Sequence, residues 1–120
     1  MKKISKKLIK KREKRRLKRD EKNKMKEWVK LVKERDNFTC QLCGYKLNKN
    51  KLSGLSAHHI VARTFKPLQF DIDNGITLCS RCHFWSWSSA HQSSIVFADF
   101  FETKYPLRYY YLLEKVKTFK

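Results

Sequence analysis

The stretch LSAHHIVARTFKPLQFDIDNGITLCSRCH, residues 55–83, decides the fold of this chain. Leu55–Val61 has the length and the flanking residues of a β-strand, and Gly75–Leu78 has those of a second, shorter strand. Residues 66–74 between them form a loop that contains Pro67. A cysteine pair follows the second strand at once, and the segment from His83 to His91 is predicted to start a helix. Its serines leave the length of that helix open.

Four cysteines are arranged as two Cys-x-x-Cys pairs that are far apart in the sequence. Each pair can supply two thiolates to one tetrahedral zinc ion, and Gly44 suits a tight turn behind the first pair. A closed site of four sulfurs is structural, so this zinc is expected to stabilise the fold and to take no part in chemistry. The alternatives are a redox pair or unrelated buried cysteines. The predicted zinc ligands are Cys40, Cys43, Cys79 and Cys82.

Two adjacent histidines at the end of the first strand are the next unusual feature. Neighbouring side chains on a strand point to opposite sides, so His58 and His59 are expected to serve different tasks. One of them can face a metal ion while the other faces a phosphate. His83, next to Cys82, is placed to return toward the hairpin as a second metal ligand.

These residues together resemble the HNH endonuclease family. The resemblance runs from about Arg35 to His83 and is carried by the segments RDNFTCQLCG, AHHIVAR, DIDNGITLC and SRCH. It implies an α+β fold with a small ββα-metal core, in which a two-stranded hairpin and a helix hold one catalytic divalent ion. The four-cysteine zinc knuckle, an N-terminal basic helix and C-terminal helices would flank that core.

The resemblance also implies roles for the site residues. His58 and His83 would bind the catalytic ion, and His59 would be the general base that accepts a proton from water. Asn74 would brace the loop and orient the base, although Asn74-Gly75 is also simply a good turn. Arg63 would hold a phosphate or the leaving group, or be an ordinary solvated arginine.

The chain departs from the family pattern at the third metal ligand. Many relatives carry a histidine four residues after the position of His83, where this chain has Trp87. On a continuous helix His91 lies too far from His83 to share its ion, so we expect it to lie on the surface or contact DNA. Two protein ligands with waters suit Mg²⁺ or Mn²⁺, with Ni²⁺ or Zn²⁺ as further possibilities.

The net charge of +18 predicts a polyanionic partner, with duplex DNA as the first candidate. Residues 1–36 carry 18 lysines and arginines against 6 acidic residues. We therefore divide the chain into a basic helical arm, residues 1–27, and a nuclease domain, residues 28–120. The helix that contains Trp28 should end near Asp36, and two further helical patterns cover 95–104 and 107–119.

Several alternatives stay open. The chain could be a zinc-stabilised DNA-binding module without activity, or a nuclease for structured RNA. Phe84, Trp85 and Trp87 could stack on bases or belong to the core. No stretch is predicted to act as a signal peptide or to span a membrane, which favours an intracellular protein whose thiols are reduced. Target sequence and oligomeric state are not predicted.

Overall fold

The computed structural model describes residues 4–46 and 54–120. The sequence also predicts a polar loop at residues 46–54, most of which lies outside the described residues. The described elements in chain order are α1 (Lys6–Arg35), β1 (Leu55–His59), two 3₁₀ turns (Lys66–Leu68 and Ile72–Asn74), β2 (Gly75–Cys79), a π-helical turn (Arg81–Trp85), α2 (Ser94–Lys104) and α3 (Pro106–Thr118).

A two-stranded antiparallel hairpin lies at the centre of the molecule. Leu55 pairs with Cys79 and His59 pairs with Gly75 at the two ends of the ladder. Strand β2 is buried along its whole length, and Ile76 and Leu78 have no solvent exposure. The first strand ends two residues before the predicted end, because the backbone of Val61 bonds to the side chain of Asn74 instead of to β2.

Helix α1 is continuous across the predicted boundary between arm and domain. It ends at Arg35, as the sequence predicts, and the side chain of Ser5 caps its first turn by accepting a bond from the Leu8 amide. Trp28 and Val32 are its buried residues and cover one face of the hairpin. A Cβ at Gly75 would lie 2.6 Å from the Trp28 ring, so this close approach requires glycine.

Helices α2 and α3 complete the core on the other side of the hairpin. Their buried residues Phe97, Phe101 and Leu112 belong to the same cluster as Ile76 and Leu78. Both helices lie within two residues of the predicted spans, which confirms the helical periodicity. No helix among the described residues is both long and apolar enough to cross a lipid bilayer.

The α+β fold class with flanking helices is thus confirmed, but the segment after β2 differs in detail from the expected helix. Only five residues, Arg81–Trp85, form a helical turn, and this turn has the wide π geometry. Ser86 then adopts an extended conformation with ψ of 148°. The chain turns back on itself there, which changes where His91 lies.

Candidate metal centres and general base

The four cysteine sulfurs converge on one point. All four Sγ atoms lie within 4.8 Å of one another, and the sulfurs of Cys43 and Cys79 are 3.6 Å apart. A tetrahedral zinc ion with Zn–S bonds near 2.3 Å separates its sulfurs by about 3.8 Å. The donor set and its spacing therefore fit structural zinc, as the sequence predicts, and no disulfide joins these residues.

Backbone hydrogen bonds hold the first cysteine pair against β2. The amide of Gln41 donates to the Thr77 carbonyl at 3.0 Å, and Gly44, with φ of 81°, closes the turn by donating to Cys40. Burial alone would raise the pKa of Cys40, but bonds from surrounding backbone amides lower it to about 7. Burial and neighbouring sulfurs raise the pKa of Cys82. A cation is the natural partner for sulfurs crowded in this way.

Three imidazoles form a second cluster on the other side of the hairpin from α1. The ligand nitrogens of His58, His83 and His91 all lie within 4.8 Å of one another. His83 Nε2 is 3.1 Å from His58 Nδ1 and 2.9 Å from His91 Nε2. The three rings meet edge to face, at interplanar angles of 61° to 85°.

Hydrogen bonding among the imidazoles cannot explain this arrangement. A ring nitrogen carries either one hydrogen or one lone pair, so His83 Nε2 cannot form a linear bond to both neighbours at once. A shared ion can, because metal–nitrogen bonds of 2.0–2.1 Å place neighbouring nitrogens about 2.9 to 3.4 Å apart. The donor set thus fits one divalent ion.

Burial keeps two of these imidazoles, those of His58 and His83, neutral and able to donate their lone pairs. It lowers the pKa of His58 to about 3, with the neighbouring His83, His91 and His59 adding to the effect. Burial and the neighbouring His91 lower the pKa of His83 to about 4. Neutral imidazole is the form that binds metals.

The expectation that His91 lies too far from His83 is wrong. It assumed a continuous α-helix from His83, whereas the π-helical turn ends at Trp85 and the chain folds back. The amide of His91 donates to the His83 carbonyl at 3.1 Å, and the Ala90 amide donates to Cys82 at 2.9 Å. The loop thus returns His91 to within ligand distance of His58 and His83.

His59 lies on the opposite side of β1, where α1 covers it. Its ring stacks flat on Trp28, with centroids 3.9 Å apart and an interplanar angle of 8°. His59 Nε2 lies 3.0 Å from the Gln69 carbonyl, which can only accept a hydrogen bond. This contact assigns the proton to Nε2 and leaves the lone pair on Nδ1. The helical spacing of Trp28, Leu31 and Val32 predicts an apolar stripe that packs against the domain. It gives no sign that Trp28 or Gln69 contacts His59.

Asn74 is fully buried and braces the loop between the strands. Its Oδ1 accepts from the Val61 amide at 2.7 Å, and its Nδ2 donates to the carbonyls of Val61 and Leu68 at 3.0 and 3.1 Å. The Leu68 carbonyl directly precedes Gln69, whose own carbonyl contacts His59. Asn74 therefore holds the loop that carries the Gln69 carbonyl, and no hydrogen bond joins Asn74 directly to His59.

Both histidines of the pair reach one open groove of about 410 Å³. His58 and His59 line it together with His91 and Ser94. Arg63 is exposed and lies close enough to His59 for its charge to lower the pKa of that imidazole, although burial is the larger cause. The structure thus brings the three-histidine cluster and His59 to one groove, and the charge of Arg63 reaches His59.

Phe84 and Trp87, two of the aromatic residues that follow His83 in the sequence, do not belong to the core. Phe84 is half exposed and stacks on His91, with centroids 4.5 Å apart and an interplanar angle of 13°. Trp87 is 88 % exposed. The side chain of Trp85 lies outside the described part of the structure.

Comparison with known families gives one match that bears on this site. Residues 40–84 match the family described as HNH endonuclease. The matched segment contains both cysteine pairs, the paired histidines, Asn74 and His83. Neither curated proteins nor solved structures yield a significant match to the chain.

Proposed function

We propose that this chain is a metal-dependent endonuclease that hydrolyses phosphodiester bonds in DNA, since residues 40–84 match the HNH endonuclease family. The observation that supports the proposal most strongly is the convergence of three imidazoles beside a fourth whose proton is fixed on Nε2. A protein that only bound nucleic acid through zinc knuckles and a basic arm would need none of these four side chains. The arm, residues 1–27, and the nuclease domain, residues 28–120, are proposed as functional units.

His58, His83 and His91 would hold the catalytic ion through their ring nitrogens. A divalent ion supplies, when bound, positive charge that stabilises the scissile phosphate and the departing oxygen. Imidazole ligands suit Zn²⁺ or Ni²⁺ better than Mg²⁺, which prefers oxygen. The third histidine therefore favours Zn²⁺ or Ni²⁺ over the Mg²⁺ or Mn²⁺ expected for two protein ligands.

His59 would be the general base. Its unprotonated Nδ1 accepts a proton from a water molecule, and the water oxygen attacks the phosphorus as the bond to the 3′ oxygen breaks. Trp28 and the Gln69 carbonyl fix the ring, so the lone pair keeps one direction without a cost in side-chain freedom. Arg63 is placed to bind a phosphate oxygen with its guanidinium group.

Incubation of the purified protein with supercoiled plasmid tests the activity. We expect nicked or linear product with at least one of Zn²⁺, Ni²⁺, Mn²⁺ and Mg²⁺, each added separately. If no ion gives product at any protein concentration, the chain is a nucleic-acid-binding module without activity. Duplex DNA, single strands and structured RNA compared side by side distinguish a DNA nuclease from an RNA nuclease.

His59→Phe tests the proposed base with little structural change, since phenylalanine keeps a flat ring against Trp28. We expect the cleavage rate to fall by about 10²- to 10⁴-fold, the usual contribution of a general base. DNA affinity should stay unchanged, because phosphate binding depends on the basic residues. Loss of binding in parallel with loss of cleavage would contradict this role for His59.

A further inference from the structure

Trp87 stands out because so large an apolar side chain is almost entirely in solvent. It is 88 % exposed, against 3 % for Trp28. Burial of an aromatic side chain of this size would ordinarily stabilise the fold. An indole left in water beside a candidate active site is an available binding surface.

The loop that carries Trp87 has a defined shape. It comprises residues 84–89, and the backbone bonds that close it join Cys82 to Ala90 and His83 to His91. Within it the amides of Ser88 and Ser89 donate to Ser86, at 3.3 and 2.9 Å. Trp87 thus sits in a closed loop that begins and ends at two of the proposed metal ligands.

Aromatic character continues from this loop to the metal cluster. Phe84 stacks flat on the ring of His91, and its centroid lies 3.9 Å from that of His83. The edge of the histidine cluster that faces this loop therefore carries the aromatic ring of Phe84. Arg63 and the lysines of α1 provide positive charge on other parts of the surface. A nucleotide offers the matching pair of features, a phosphate and a flat base with a π face.

We propose that Trp87 stacks on an unpaired nucleobase next to the phosphate that is cut. The inference rests on the proposed function insofar as nucleic acid must occupy the groove. A paired base in a continuous stack has no free face for the indole, so the preferred substrate is a single strand or a duplex opened at the cut. Stacking of this kind tolerates any base, so Trp87 would select for strand opening and not for sequence.

A second copy of the chain is the competing occupant of this surface. Each copy carries a net charge of +18, so association of two copies is opposed by electrostatic repulsion. A nucleic acid has the complementary charge. The charge balance therefore favours the nucleobase.

Equilibrium binding to two single strands of equal length tests the proposal without requiring cleavage. One strand is oligothymidylate and the other carries abasic spacers on the same phosphate backbone, so that the phosphate contacts are identical. We expect the full-length protein to bind the base-bearing strand roughly 5- to 100-fold more tightly, the range that one stacked base provides. Trp87→Ala should bind both strands nearly equally, and Trp87→Phe should keep part of the preference.

Leu107→Ala is the matched control, since Leu107 is also 88 % exposed but lies on α3. It should behave as the unaltered protein does. Equal preference for bases in Trp87→Ala and the unaltered protein would overturn the proposal. The proposal would also be overturned if sedimentation showed that the unaltered protein is a dimer and that Trp87→Ala is a monomer. Failure of plasmid cleavage would count against the proposed nuclease activity but not against stacking by Trp87, because the comparison of the two strands measures binding alone.

Discussion

At the scale of single residues, His59 is held in an environment that favours its neutral form. Burial lowers its pKa below the ordinary value, the Gln69 carbonyl opposes this, and the charge of Arg63 adds to it. An imidazole must be unprotonated to act as a base, and the unprotonated fraction rises as the pH passes the pKa. Its low pKa therefore extends proton acceptance to more acidic conditions.

This reasoning predicts the pH profile of cleavage. The acidic limb of kcat/KM should have its midpoint below about 6.5, the ordinary pKa of histidine. Removal of a positive charge makes protonation easier, so Arg63→Gln should move that limb to higher pH. Arg12→Gln, an exposed change on the arm, is the control and should leave it in place. A limb that does not move in Arg63→Gln would contradict an interaction between Arg63 and His59.

His91 provides a test of the metal cluster at the same scale. We expect His91→Ala to weaken Ni²⁺ or Mn²⁺ binding by at least about tenfold. Loss of a residue that only hydrogen-bonds to a metal ligand already has effects of that size, and loss of a ligand should cost at least as much. Titration calorimetry on protein that retains its structural zinc measures this affinity. The adjacent Gln92→Ala is the control. Equal affinities in His91→Ala and the control would mean that His91 is not a ligand and that only His58 and His83 bind the ion.

The sequence indicates which side chains belong to the candidate site, but it does not indicate which residues contact those side chains. The resemblance to the HNH endonuclease family implied roles for His58, His83 and Asn74, and the alternation of side chains along a strand separated His58 from His59. The position of His91 could not be predicted, because it depends on a π-helical turn that the sequence does not signal. The contact between Trp28 and His59 joins residues 31 positions apart through packing, which local patterns do not report.

At the scale of elements, the two strands of the hairpin could be predicted from the sequence. Their inward positions are apolar, and turn-forming residues lie at their ends. The cysteine pairs connect this small sheet to the segments on either side. Cys79 ends β2 and Cys82 lies in the π-helical turn, while Cys40 is held beside β2 through the contact between Gln41 and Thr77. A zinc ion there would link three elements that share only a small core.

We therefore expect Cys43→Ser to lose zinc and to unfold at ordinary temperature. Structural zinc contributes about 10–16 kcal/mol in small domains, which equals or exceeds the usual stability of a domain. Zinc content and thermal melts by circular dichroism, with and without chelator, measure the effect. Ser80→Ala is the control, since Ser80 is exposed between the second pair of cysteines. A melt that zinc removal leaves unchanged would show that the sulfurs do not stabilise the fold.

At the scale of the whole molecule, α1 has two different ends. Residues 6–20 carry ten basic and two acidic side chains, and all of them are exposed. From Glu21 onward the helix makes polar contacts with the body, beginning with Lys66 and Gln69 at 3.2 and 3.1 Å. The helix is about 45 Å long at 1.5 Å per residue. One rigid element can thus bind phosphates far from the cut and also form the wall behind His59.

This division predicts that affinity and cleavage can be separated along α1. Lys10, Lys14 and Lys18 are exposed and spaced by four residues, so they lie on one face of the helix. Changing all three to glutamine should reduce the slope of log affinity against log salt by about 2.7 on duplex DNA, or by about 2.1 on a single strand, if each contacts one phosphate. The rate at saturating DNA should stay unchanged, because Trp28 remains in contact with His59. The control is the same change to glutamine at Lys115, Lys117 and Lys120, which are exposed on or just after α3. An equal decrease in the salt dependence of DNA affinity in this control would mean that DNA binding depends on the charge of the whole chain and not on the arm.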